Sequence, residues 1–203
     1  MSLAVFLMLS LFLLAVTLST PFADTVQTHY ANQNADRLRV LLGEANTSFE
    51  SLLARYRLYP LTEDSKVIEP LPSDPSPNQS ARELALLSGL WAYRAGEAGL
   101  FGAIRYGRRS MNFLEAAKAR NPEDPYVLLV EGQSLLFRPS IAGRDVEAAA
   151  DRFDRLVDLL SQTAIPGIAT TEAEMWLWLA LRENGRSEAA AALHQSLLAT
   201  QPP

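Results

Sequence analysis

Chemistry at physiological pH starts from imidazoles, thiols and paired carboxylates, and the chain is poor in all three. It has no cysteine and two histidines, His29 and His194. Thiolate metal sites, thiol nucleophiles and disulfides are therefore absent from the sequence. Neither histidine has a carboxylate at i+4 on a shared helical face, so neither carries a zinc or triad signature. Glu50-Ser51, within SFESLLARY, is the one carboxylate and hydroxyl dipeptide with an enzyme-like look. It falls mid-helix by pattern, beside the apolar Phe49, Leu52 and Leu53, where nothing nearby marks it as a general acid. Asn46-Thr47-Ser48 and Asn78-Gln79-Ser80 match the glycosylation sequon, which has meaning only in a secreted eukaryotic chain.

Charge is more informative. Arg105, Arg108 and Arg109, with Asn112, recur at helical spacing opposite Ile104, Met111 and Leu114. They make a basic stripe in a chain of net charge −5, suited to an acidic partner or to anionic lipid heads when it is not simply a solvated face. The acidic balance argues against nucleic acid, whose binding rests on Lys and Arg neutralising phosphates.

The elements that must position these residues are helices. Leu3 to Leu18 reads LAVFLMLSLFLLAVTL without a charge, so residues 1–23 are expected to be a cleaved signal peptide or a retained membrane anchor. Residues 24–203 then face the non-cytoplasmic side. Leu38, Leu41, Leu42, Ala45, Phe49, Leu52, Leu53 and Tyr56 keep a spacing of three and four, which predicts one leading helix within 24–60 ended by Pro60. Residues 61–79, with Pro70, Pro72, Pro75 and Pro77, read as a long loop. Ser80 and Glu83 form a capping box that starts a helix reaching about Ala98, and Gly99 separates it from a second one closed by Asn121-Pro122. Asp124-Pro125 opens the next pair, whose second helix is capped by Asp145 after the loop RPSIAGRD. Thr171 and Glu174 suggest another capping box, Gly185 ends that helix, and a last one runs from Ser187 towards Pro202. The fold class is all-α: three helix pairs (80–122, 123–161 and 170–203) behind one leading helix.

Overlaid, the pairs share small residues within each helix, a turn glycine and a closing proline, and this scheme resembles the tetratricopeptide repeat. Leu177, Leu181, Gly185, Ala190, Leu197 and Pro202 carry the match in the last pair, although Trp178 stands where that family has a small residue. Gly89, Gly96, Leu114, Ala117 and Pro122 carry it in the first pair, and Gly132, Leu135, Ala149, Phe153 and Leu156 in the middle one. Residues 38–59 could supply a half repeat. FRPSIAGRDVEAAADRF is also similar to a loop of the tetratricopeptide accessory component of periplasmic carboxylate transporters. The resemblance implies a short right-handed superhelix whose first helices line a groove for a peptide or partner protein. In that register Tyr93, Arg94, Tyr126, Gln133, Phe137, Met175 and Arg182 fall near the groove, about half of them competing with core packing.

The expected function is a non-enzymatic extracytoplasmic scaffold binding another protein, needing no cofactor and held at the membrane by residues 3–20 if these are retained. A ligand-handling accessory of a transport system is the first rival. A cell-wall-cleaving enzyme is the second, suggested because helical lytic transglycosylases carry a catalytic glutamate followed by serine, the pattern of Glu50-Ser51.

Overall fold

The computed structural model describes residues 21–200, and every regular element among them is helical. The apolar run 3–18 lies outside the described residues. Among those described, no helix is long and apolar enough to cross a membrane.

The expected single leading helix is three: α1 (Phe22–Ala31), α2 (Ala35–Glu44) and α3 (Ser48–Thr62). Gln33 adopts φ 53° and the Asn34 side chain accepts the Arg37 N–H at 3.1 Å, which ends one helix and caps the next. Ala45 is extended, and Thr47 with Glu50 forms a capping box that opens α3. The three-and-four spacing from Leu38 runs across the break after Glu44 because Leu38 and Leu41 of α2 and Leu52 and Leu53 of α3 reach one core. Pro60 does not end α3, which continues to Thr62 and closes on Glu63 in the left-handed region. So close to the C-terminus a missing proline N–H forfeits one bond and leaves those of the following residues intact. Within the proline-rich stretch a short helix, α4 (Ser65–Ile68), is capped by Asp64 and buries Ile68.

The remaining helices are α5 (Ala81–Glu97), α6 (Leu100–Arg120), α7 (Pro125–Phe137), α8 (Val146–Gln162), α9 (Thr170–Glu183) and α10 (Ser187–Thr200). Ser80 and Glu83 make the expected capping box, and Asp124 and Asp145 cap α7 and α8. The Thr171 and Glu174 box does not form. The helix begins earlier, after Ala169 and without a side-chain cap. Gly167, at φ 84°, sets the entry turn, and Glu172 is drawn inward instead.

Consecutive helices pack as the pairs α5 with α6, α7 with α8 and α9 with α10, while α3 lies along α5. Arg82 of α5 meets Asp124 beside the start of α7, Phe49 of α3 meets Tyr126, and Tyr56 of α3 meets Gln133. Thus α3, α5 and α7 run in the same direction. Helix α7 carries apolar residues on every side along its first two turns, and Tyr126, Val127, Leu128, Leu129, Val130 and Leu136 are all buried, as in a helix at the centre of a stack. Gly132 lets the Phe153 ring close on α7, since a Cβ there would come within 2.6 Å of it. Buried Glu131 of α7 pairs with Lys118 of α6 and Arg152 of α8, each at 2.9 Å, and ties three helices together.

One set of contacts joins distant parts of the chain. Arg57 of α3, 2% exposed, pairs with Glu172 of α9 at 2.5 and 2.8 Å and donates to the Gly167 carbonyl at 3.0 Å. Asp24 of α1 accepts the Gly167 N–H at 2.9 Å, and the Tyr126 hydroxyl donates to the Pro166 carbonyl at 2.8 Å. The loop before α9 is therefore held by α1, α3 and α7 together.

Candidate functional site

The site with the most exposed binding chemistry lies where the last turns of α5 and the first turns of α6 meet the extended segment after α4. Helix periodicity puts Trp91 and Arg94 of α5 against Arg105, Tyr106 and Arg109 of α6. Trp91 and Tyr106 stack with ring centroids 5.4 Å apart and planes at 27°. The indole N–H donates to the Pro72 carbonyl at 3.0 Å, which fixes the ring against the extended segment. Above this pair sit three guanidinium groups: Arg109 is 4.8 Å from the Trp91 ring, Arg105 is 4.7 Å and Arg94 is 5.5 Å from the Tyr106 ring. These groups, with Glu69 and Pro70, bound an open cleft of about 320 Å³, which adjoins a recess of about 280 Å³ beside Ser65 and Glu97.

The electrostatics of the cleft are uneven. Arg94 pairs with Glu69, whereas Arg105 and Arg109 have no carboxylate partner among the described residues. Arg105 donates to the Tyr106 hydroxyl at 2.7 Å, and this bond, with a second from Arg94, pulls the phenol below its ordinary pKa. Two guanidinium groups stacked on rings keep their outward N–H donors for a carboxylate or phosphate, which they can meet in a bidentate fashion.

Two of the three stripe arginines, Arg105 and Arg109, thus belong to this cleft. Arg108 faces away from it into solvent. The seven residues placed near a groove do not share one surface. Arg94 is in the cleft. Tyr93 and Gln133 turn towards α3, where Tyr93 stacks on Tyr56 and Tyr59 at 5.5 and 4.7 Å and Gln133 accepts the Tyr56 hydroxyl. Burial pushes Tyr56 and Tyr93 far above the ordinary tyrosine pKa. Tyr126 is buried edge-on against Phe49 and is closed to any partner. Phe137 and Met175 are exposed, with Phe137 edge-on to Trp176, while Arg182 covers Trp178 and the His194 ring stacks on Trp178 with centroids 5.5 Å apart. The physical reason that Tyr93, Tyr126 and Gln133 are turned inward is α3, which lies along α5 and reaches Gln133 of α7 on the side where these first helices would otherwise face a partner.

Glu50 also changes place. It stands in the first turn of α3, not mid-helix, and its carboxylate accepts the Asn46 and Thr47 N–H groups at 2.8 and 3.1 Å. Thr47, the middle residue of the first sequon-like triplet, and Ser80, the hydroxyl residue of the second, are both helix caps. His29 sits in the last turn of α1.

Sequence reasoning missed Trp91, Tyr106 and Glu69 as members of one site, because they come from three elements and no spacing links them. It also missed Arg57, for which the only signal is a charge inside the apolar run LLARYRLY. No family model, curated protein or solved structure matches this chain.

Proposed function

We propose that the protein is a non-enzymatic helical scaffold of the tetratricopeptide kind, working on the non-cytoplasmic side of a membrane. In this reading it holds an acidic segment of a partner protein in the cleft between α5 and α6. The observation that carries it is the pair Arg105 and Arg109, which lack carboxylate partners among the described residues and lie over the stacked Trp91 and Tyr106. Arginine and aromatic anchors with satisfied neighbours are the composition of binding hot spots. An open cleft rimmed by cations suits an extended chain segment better than an enclosed apolar ligand. The helix pairs and their turn glycine, Gly185 at φ 73°, support the repeat reading.

The test is fluorescence anisotropy with a labelled peptide of alternating Glu and Phe, titrated with the wild type and with Arg105→Glu plus Arg109→Glu. The double reversal should weaken binding by more than about tenfold, as expected for losing charge-assisted bonds at a hot spot. Thermal melting should fall by only a few degrees, since Arg105 is exposed and the stack of Arg109 on Trp91 contributes about 0.5–1 kcal/mol. Equal binding by both proteins would reject the cleft as the working site.

A further inference from the structure

In a chain with 23 acidic residues, the stretch 98–114 contains none, yet holds Arg105, Arg108 and Arg109. It also bares three large apolar side chains. Leu100 is 74% exposed, Phe101 87% and Ile104 49%. At 100° per residue, Leu100, Ile104, Arg108 and Phe101 fall within an arc of about 100° on α6, turned away from its contact with α5, and Arg105 stands at the margin of that arc beside the cleft. Because α5 and α7 run in the same direction, the turn before α6 and the loop after α7 lie at one end of the stack. That loop carries Ile141, 99% exposed, and follows the exposed Phe137.

We infer that this end of the molecule, led by the first three turns of α6, docks on an anionic membrane surface. Leu100, Phe101 and Ile141 would enter the boundary between headgroups and acyl chains, with Arg108 against lipid phosphates and Arg105 at the edge of the docked face. The arrangement has the chemistry of an interfacial helix: bulky apolar residues on one side, arginines at their margin and no carboxylate between them. The bare side chains project from turns instead of lining a depression, which fits a fluid apolar phase better than a folded partner. A second copy of the chain is a poorer occupant, because a few projecting side chains fall well short of the roughly 800 Å² per partner of a stable interface. The uncharged run at 3–18 independently gives the chain a reason to be at a membrane.

The absence of native cysteine allows single labels to be placed without background. The full-length protein would carry an environment-sensitive fluorophore at Phe101→Cys, at Ile141→Cys or, as a control at the opposite end of the stack, at Gln162→Cys. Each would be mixed with phosphatidylcholine vesicles or with vesicles containing about one-third phosphatidylglycerol, both bearing spin-labelled acyl chains as quenchers. The expected result is blue-shifted, strongly quenched emission at 101 and 141 on the anionic vesicles alone, with Gln162→Cys unquenched on both. Arg108→Glu should bring the Phe101→Cys signal towards the control. Quenching at 162 equal to that at 101 would overturn the inference, since the N-terminal run alone would then account for membrane contact. A blue shift at 101 that rises with protein concentration without vesicles would overturn it in favour of self-association. Equal quenching on both vesicle types would refute the role given to the arginines.

Discussion

The pair of Arg57 and Glu172 offers the sharpest test of the fold. Burial works against the Arg57 charge, but the Glu172 carboxylate and its hydrogen bonds outweigh it and hold the guanidinium above the ordinary arginine pKa. Glu172→Leu therefore strands a permanent cation in the interior, left with the Gly167 carbonyl and the Tyr30 ring 4.7 Å away. Removing one partner of a buried pair costs about 3–5 kcal/mol. For a chain of this size that lowers the melting temperature by roughly 6–20 °C. Arg57→Met should cost less, because Glu172 stands in the first turn of α9, where the helix dipole favours a negative charge. Arg57→Met with Glu172→Leu should recover to within about 1 kcal/mol of the wild type, since an apolar pair of similar volume loses neither desolvation nor packing. Urea titration of the four proteins gives the cycle directly. A cost for Glu172→Leu below about 1 kcal/mol, or a double variant as unstable as the sum of the two singles, would mean that the guanidinium reaches water and that α3 and α9 are not joined as described.

Three further expectations concern the tyrosines and the core. Tyr30, Tyr56, Tyr59, Tyr93 and Tyr126 all have pKa values raised first by burial, while Tyr106 alone is lowered, first by its bond from Arg105. Absorbance titration should thus show one tyrosinate below the ordinary value of about 10, removed by Tyr106→Phe, and five that appear only with alkaline unfolding. The sign follows from linkage: the five raised groups add stability that is complete below about pH 10 and is lost as pH rises towards their folded values. Gly132→Ala should destabilise by about 1–3 kcal/mol despite alanine's better helix propensity, because the new methyl meets the Phe153 ring. Phe153→Ala, at a fully buried ring stacked 6.2 Å from Trp176, should cost about 3–5 kcal/mol in a denaturant titration.

Much of the helix layout was legible because it rests on local rules. Ser80 with Glu83, Asp124 with Pro125, Asp145 and Gly185 mark boundaries through bonds that span three residues or fewer, and each stands where the sequence places it. The leading segment was misread because periodicity records which side of a residue is buried, not whether the helix beneath it is continuous. Leu41 and Leu52 keep phase across the break between α2 and α3 for that reason. The arginine stripe was legible as a stripe, since 105, 108 and 109 are near neighbours on one helix. Its division between the cleft and solvent was not, because that depends on where Trp91 sits on another helix. The groove assignment of Tyr93 and Gln133 treated successive first helices as uncovered, and no local signal announces that α3 lies over them.

The clasp between α1, α3 and the loop before α9 also bears on how such a stack can evolve. A linear array of helix pairs can gain or lose a pair at little cost, since each unit touches only its neighbours. Here Asp24 must still reach the Gly167 amide, and Arg57 must still reach Glu172, more than a hundred residues away. An extra pair inserted between α6 and α9 would carry Gly167 and Glu172 away from both partners, leaving Arg57 buried without its counter-ion. Duplication inside the clasp is therefore costly, whereas growth beyond α10 is not, and the number of pairs between α3 and α9 is fixed by the distance those side chains can span.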